Sequence, residues 1–385
     1  MASVPVILPS AEFRKELLQR GGGSVSRCYQ CATCASICEL APTDAPFPRQ
    51  QMLWMQWGLS ERLAADPALW LCHQCNDCSV HCPRDARPGD VMQAVRALTV
   101  EKLAAPRAMG RFVGNVKVTW PLLIGLPILF WVFSLWMIHG QVIPQDPMLE
   151  QFGYAHFVPH WLIYSVFFTV FGVAFLTTWI SGNRFWRLLG AHTARTGSFL
   201  AQVIPILWEI MTHKRFGKCD GGAARRLGHL ALFWGFVGAA LTSALLIVAM
   251  YILKAELPLS QSHPFKILGN LSAVLLVVGG FTLFFTRLRK DKAASASQAS
   301  DVFFLAIVLM VIVTGVLVET GRFLFEPEVA CWFYILHLGS ILTLFSTFSY
   351  SKFAHLLYRT LVMIHARMVA TQKIAGDSLT KGGIP

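Results

Sequence analysis

Eight of the ten cysteines fall into two runs of one pattern, Cys28, Cys31, Cys34, Cys38 and Cys72, Cys75, Cys78, Cys82, each spaced C-x2-C-x2-C-x3-C. Three thiolates within seven residues reach three irons of one cubane, and the fourth, offset by a further turn, points to the other cluster in two-cluster proteins. The pattern predicts one 4Fe–4S cluster on Cys28, Cys31, Cys34 and Cys82, and a second on Cys72, Cys75, Cys78 and Cys38. Disulfides or zinc fit poorly, because the cysteines come in threes plus one and not in pairs. Disulfides also require an oxidising compartment, and the first residues, MASVPVILPSAEFRKELLQRGGG, lack a secretory apolar stretch. Cys82 is followed by Pro83, whereas Cys38 is followed by Glu39, whose charge would lower the nearby potential slightly. Cys219 and Cys331 read as ordinary thiols.

The unit around the cysteines, residues 1–112, reads as helical. Met52, Trp54, Met55, Leu59 and Leu63 recur at helical intervals up to Pro67, and DVMQAVRALTVEKLAA reads as a second amphipathic helix. Trp54, Trp57 and Trp70 are expected to pack around the clusters, and His73 and His81 to donate to their sulfurs.

The remainder, residues 113–370 with a tail over 371–385, belongs to another solvent. A chain of 385 residues that is 55% hydrophobic and 14% charged is not one water-soluble globule. Six windows approach the ~20 apolar residues that cross a bilayer, at about 118–139, 157–180, 229–253, 267–286, 302–325 and 330–350. Basic residues crowd two connections: Arg184, Arg187, Arg195, Lys214, Arg215, Lys218, Arg225 and Arg226 in 181–228, and Arg287, Arg289, Lys290 and Lys292 near 287–292. The positive-inside rule puts both in the cytoplasm, together with the cysteine domain and the C-terminus, in an inner membrane. The net charge of +12 is thereby explained without nucleic acid. Phe199, Val203, Ile206, Leu207 and Ile210 mark a helix resting on the membrane surface or a partner. Trp161 and Trp179 read as interfacial anchors, and DKAASASQASD as a polar linker.

Histidines at matched depth point to haem b. His337 and His355 are eighteen residues apart, five turns of one helix, which places both on one face about 27 Å apart. His229 opens the third window at the level of His355, so the two can hold a haem through both axial positions. For His337 the candidate partners are His263, His139, His156 and His160, of which His263 is chosen; a five-coordinate haem or no second haem stays open. Glu319 and Arg322 can pair across one helical turn, as quinone or propionate contacts or as headgroup residues. Gly235 and Gly238 allow close approach, chiefly of another helix.

RCYQCATCASIC and WLCHQCNDCSVHCPRDARPGD resemble the iron–sulfur subunit of heterodisulfide reductases, with a helical ferredoxin fold. GHLALFWGFVGAALT, VTGVLVETGRF and SKFAHLLYRTLVM resemble the cytochrome b subunits of heterodisulfide and nitrate reductases. The fusion is similar to the membrane-anchoring C-type subunits of quinone-interacting membrane-bound oxidoreductase (Qmo) complexes. Of the four histidines of nitrate reductase cytochromes, this sequence keeps His337, His355 and only one of the earlier pair, His229. The resemblance implies an all-α protein, a ferredoxin domain followed by a six-helix cytochrome b domain. It further implies two flavin and iron–sulfur partner subunits resembling heterodisulfide reductase A, and electron exchange between menaquinone or ubiquinone and adenylylsulfate reductase. On this reading the chain is part of a quinone-dependent oxidoreductase and itself performs no bond chemistry. The alternatives are a heterodisulfide-reductase-like subunit acting on a thiol carrier, and a redox-sensing ion transporter.

Overall fold

The structure, a computed structural model, describes residues 8–143, 154–191, 195–213, 223–255, 259–289 and 298–381, with the side chains of 155, 156, 322 and 370–381 outside that description. Cys219, the basic residues Lys214, Arg215, Lys218, Lys290 and Lys292, and most of the polar linker therefore lie outside it. The described residues contain helices and no strands.

The cysteine domain is a set of short helices: α1 Ala11–Leu17, α2 Thr33–Ser36, α3 Arg49–Gln56, α4 Ser60–Ala64, α5 Ala68–Leu71, α6 Asp77–Val80 and a longer α7 Pro88–Leu103. The helical pattern expected between the motifs breaks into α3, α4 and α5. Gly58 is the reason for the first break: its φ is +70° and a Cβ there would come 2.7 Å from the Ser10 carbonyl, so the chain turns under a second segment. Trp70 is buried at 3% exposure, whereas Trp57 stands 57% exposed and packs around nothing.

The helix expected to be amphipathic, α7, is instead buried on nearly every side: Val91, Met92, Ala94, Val95, Leu98, Leu103 and the polar Asp90, Gln93 and Thr99 are all enclosed. It lies against α1, α5, α6 and α8 Arg107–Gly114, and against the bundle helix over His160–Gly190, which leaves only Arg96, Ala97, Glu101 and Lys102 partly open to water. Sequence periodicity sees one neighbour per helix, and this helix has several.

Among the described residues six helices are long and apolar enough to cross a membrane, compatible with a multi-pass membrane protein: α9 Val116–His139, α11 His160–Gly190, α13 Ala223–Tyr251, α14 Pro264–Leu288, α15 Ala299–Leu324 and α16 Pro327–Ser346. The short α10 Tyr154–Phe157 precedes the second, and α12 Phe199–Met211 follows it. Trp161 and Trp179 are 63% and 61% exposed, as lipid-facing side chains are. α13 and α14 form the closest pair: a Cβ on Gly279 would meet the Leu232 nitrogen at 2.5 Å, and one on Gly235 would meet Leu276. Gly235 and Gly238 thus serve helix packing, as small residues do where no water drives association.

The last apolar helix does not run on to His355. α16 ends at Ser346, a short turn over Phe348–Tyr350 follows, and α17 Ala354–Lys381 begins afresh. Thr343, Ser346 and Thr347 turn their hydroxyls onto carbonyls of the preceding turn, and Ser349 and Ser351 bond locally or to Ala174. Such residues offer the backbone a competing hydrogen-bonding scheme and open the helix. His337 and His355 therefore sit on different helices, and the five-turn argument that placed them on one face does not hold.

Candidate functional site: two cysteine cavities and a histidine cluster

The two motifs repeat one backbone shape. Gln30 and Ala32 have φ of 60° and 71°, and the equivalent Gln74 and Asn76 have 55° and 72°. Left-handed conformations cost ~1–2 kcal/mol at a residue with a side chain, so four of them in matched places mark a loop held open for something inside it. Each loop then turns into a short helix, α2 or α6, carrying its third cysteine.

Two cavities result. One is lined by Cys28, Cys31, Cys34 and Cys82, with Tyr29, Arg49 and Arg84 at its rim. The other is lined by Cys38, Cys72, Cys75 and Cys78, with His73 and Gln74. Among the described residues no group of histidine, cysteine or carboxylate side chains is gathered tightly enough for a single metal ion. Four soft thiol ligands around each cavity are the donor set of a cubane. Burial pushes the Cys34 thiol up to about 11, and the neighbouring Cys28 and Cys82 add to the rise. Cys38 and Cys78 are raised for the same first reason, burial. Thiolates so placed are stable only beside strong positive charge, which iron supplies. The backbone N–H of Gln74 donates to Cys72 Sγ at 3.3 Å and that of Ala86 to Cys82 Sγ at 3.4 Å.

Each of the two histidines beside the motifs has one ring nitrogen engaged by protein. His81 Nδ1 bonds the Asp77 carbonyl at 2.9 Å, and His73 Nε2 bonds Arg359 of α17. The second contact ties the Cys72 loop to the helical bundle. Arg225 of α13 reinforces it by donating to the Gln74 carbonyl at 2.9 Å, and Trp70 of α5 packs on Tyr358 of α17 at 4.8 Å between ring centroids. A polar chain runs alongside: Gln74 bonds Gln93, Gln93 bonds Asp301 of α15, and Asp301 is paired with Arg287 at 3.1 Å and Lys352 at 2.7 Å.

His229 and His355 lie at this same end. His355 is near enough to His229 to act on its charge. A third histidine, His213, stands with its Nε2 2.8 Å from His229 Nδ1 and its ring 4.9 Å from the His229 ring. Sequence reasoning passed over His213, since it lies in no apolar window; the only signal was its place at the end of α12, sixteen residues before His229. His355 Nδ1 bonds the Lys352 carbonyl. Its ring is solvent-accessible although protein surrounds it closely, the situation of a side chain facing a cleft, and burial holds its pKa down to about 4, so the imidazole is neutral.

The other candidates stand apart. His337 is bonded through Nδ1 to Thr314 Oγ1 at 3.0 Å and lies against Gly315. His263 caps α14 by accepting from the Phe265 N–H at 3.2 Å. His139 bonds the Phe157 carbonyl at 3.0 Å, His160 faces Tyr164, and the His156 side chain is outside the described residues. Glu319 is engaged by Lys266, in the first turn of α14, at 2.5 Å and by Gln261, just before that helix, at 3.1 Å, while the Arg322 side chain lies outside the described residues. Cys331 is buried in the bundle core.

Residues 24–86 match the family model described as a 4Fe-4S dicluster domain, and residues 118–376 match that described as Citrate utilization protein B. Within the first region the chain is 32% identical over 105 residues to the C-type subunit of the H(2):CoB-CoM heterodisulfide,ferredoxin reductase of Methanothermobacter thermautotrophicus, covering 26% of this chain and 57% of that protein. It is 39% identical over 95 residues to a protein of Archaeoglobus profundus described as like the C-type subunit of heterodisulfide reductase, covering 24% of this chain and 49% of that one. The chain thus spans about half the length of these relatives. Along most of its length it is 27% identical to the Citrate utilization protein B of Escherichia coli, over 339 residues, 80% of this chain and 84% of that protein. No solved structure matches. With a 4Fe–4S dicluster domain like that of the heterodisulfide reductase iron–sulfur subunits leading into six apolar helices, the chain belongs to the Citrate utilization protein B family.

Proposed function

We propose that this chain is the membrane-embedded electron-transfer subunit of an oxidoreductase, passing electrons between quinone in the bilayer and soluble flavin and iron–sulfur partners through haem b and two 4Fe–4S clusters. The observation that carries this reading is one of position. α13 and α17, which bear His229 and His355, are the helices whose Arg225 and Arg359 grip the Gln74 and His73 loop of the second cysteine cavity.

Bound in these places, haem and cubanes supply one-electron chemistry, linking a two-electron carrier in the membrane to a two-electron flavin outside it. The chain's own residues hold and orient them. Cys28, Cys31, Cys34 and Cys82 hold one cubane; Cys72, Cys75, Cys78 and Cys38 hold the other. His229 and His355 are the haem ligands. Each is fixed through Nδ1, by His213 and by the Lys352 carbonyl, the arrangement that sets tautomer and ring angle in metal-ligating histidines and makes Nε2 the coordinating atom. A second haem would use His337, with His263 as the assigned partner, and the Glu319 and Arg322 region is assigned to quinone or propionate contact.

The cysteine domain and the C-terminus face the cytoplasm on the count of basic residues. The likeness to the heterodisulfide reductase iron–sulfur subunits supports partners of that kind; the narrower assignment, a Qmo-type complex serving adenylylsulfate reductase, rests on the sequence resemblance. The test is His355→Ala. The reading expects loss of the haem absorbance with the iron–sulfur signals retained; undiminished haem overturns the ligand assignment.

A further inference from the structure

The two cysteine cavities differ in what surrounds them. The Cys38, Cys72, Cys75 and Cys78 cavity has its loop pinned to α13 and α17, with the acidic Glu39 and Asp77 among its lining residues. The Cys28, Cys31, Cys34 and Cys82 cavity makes its rim contacts within the cysteine domain. Cys31 is exposed, and around it Arg27, Tyr29, Arg49, Arg84 and Asp85 are exposed too. Tyr29 is 68% exposed with the Arg84 guanidinium stacked 4.1 Å from its ring centre and donating to its hydroxyl at 2.8 Å. Arg49 Nε is bonded only to the Gln30 carbonyl among the described residues, and of the three arginines only Arg27 has a carboxylate partner there, Asp85.

We infer that this rim is the docking surface for an acidic, redox-active protein, and that the cavity with the exposed Cys31 is the terminal station of the chain while the one pinned to the bundle is intermediate. This rests on the proposed function, because it assumes a cluster in each cavity. Three arginines against one aspartate set a cationic ring of side chains around the thiolates beneath. An arginine stacked on an exposed tyrosine is the type of group that anchors protein interfaces, large in area and poor in conformational freedom. The exposed Cys31 places any centre held there at the surface, where a partner can approach it. A partner with a complementary acidic face is steered to the one place where that distance is short, and the attraction falls with salt.

The purified, detergent-solubilised full chain is assayed for iron and then tested for binding to two probes, an acidic plant-type 2Fe–2S ferredoxin and basic cytochrome c, at about 0.02 M and 0.3 M salt. The inference expects ferredoxin to bind at low salt, cytochrome c not to, and Arg49→Glu/Arg84→Glu to weaken ferredoxin binding about tenfold. Arg27→Glu, which alters an exposed ion pair of little structural value, should weaken it in the same direction should the double variant misfold. Arg107→Glu, an exposed charge of α8 away from the rim, should change it less than twofold. Equal loss from Arg107→Glu, or no loss from the rim variants, overturns the docking surface while leaving the proposed function standing. Absence of iron from the intact chain overturns both.

Discussion

Arg225 Nη1 donates to the carbonyl of Gln74 at 2.9 Å, joining the helix that carries His229 to the loop between two cysteines of the second motif. That one contact crosses the boundary between a domain built by sulfur chemistry and a bundle built by apolar packing. Removing a guanidinium from such a carbonyl costs about 1–3 kcal/mol. Arg225→Ala is therefore expected to loosen the domain, read as faster limited proteolysis between residues 60 and 110, with iron content unchanged.

The crossed arrangement of cysteines makes a prediction that a simpler scheme does not. Cys38 lies with the second motif's trio and Cys82 with the first's. Cys38→Ser should perturb the cluster held by Cys72, Cys75 and Cys78, and Cys82→Ser that held by Cys28, Cys31 and Cys34. Electron paramagnetic resonance of Cys38→Ser combined with Cys28→Ser should show both clusters affected; a change confined to one means each motif serves its own cluster.

His213 Nε2 lies 2.8 Å from His229 Nδ1, and on the proposed function it orients a haem ligand. Loss of such an orienting partner weakens retention of the metal group by about 10–100-fold. His213→Ala should lower haem content and shift the haem potential, and His213→Gln, whose amide oxygen can still accept from His229 Nδ1–H, should restore most of both. A structural role alone would move neither the potential nor its rescue.

Asp301, 3% exposed, sits between Arg287 and Lys352 and accepts from Gln93. Neutralising it leaves two cations facing each other, and breaking a buried pair in this way costs about 3–5 kcal/mol. Asp301→Asn is expected to lower the thermal midpoint in detergent measurably, and Asp301→Asn with Lys352→Met to recover part of the loss.

Acid should loosen the contact of α17 with Trp186 and Arg195. His365 is 3% exposed and accepts from Arg195 Nε at 3.0 Å, and burial first, then Arg195, holds its pKa down to about 4. The folded state therefore keeps it neutral while the unfolded chain protonates it near 6.5, so stability is full above that value and falls as pH drops from about 6.5 toward 4. The slope is at most ~1.4 kcal/mol per pH unit. His365→Gln should flatten the fall in thermal midpoint over that range.

The cysteine spacing announced its own chemistry because thiolate ligation is local, and six apolar runs announced six apolar helices because hydrocarbon demands length. What stayed hidden depended on neighbours. Gly58 broke a helical pattern because Ser10 lies beneath it, and α7 lost most of its solvent face to helices from both sides. Hydroxyls of Thr343 and Thr347 ended α16 before His355, which no periodicity count could register. His213 carried no pattern at all; only the fold brings it to His229.

The most direct test is to add quinol anaerobically to the oxidised, purified chain and record optical and paramagnetic resonance spectra together. The account predicts a reduced haem b band and reduced 4Fe–4S signals from the same sample, with the cluster signals lost but the haem band kept in Cys72→Ser/Cys75→Ser. Clusters that stay oxidised while haem is reduced, or a chain with no haem band, would contradict it.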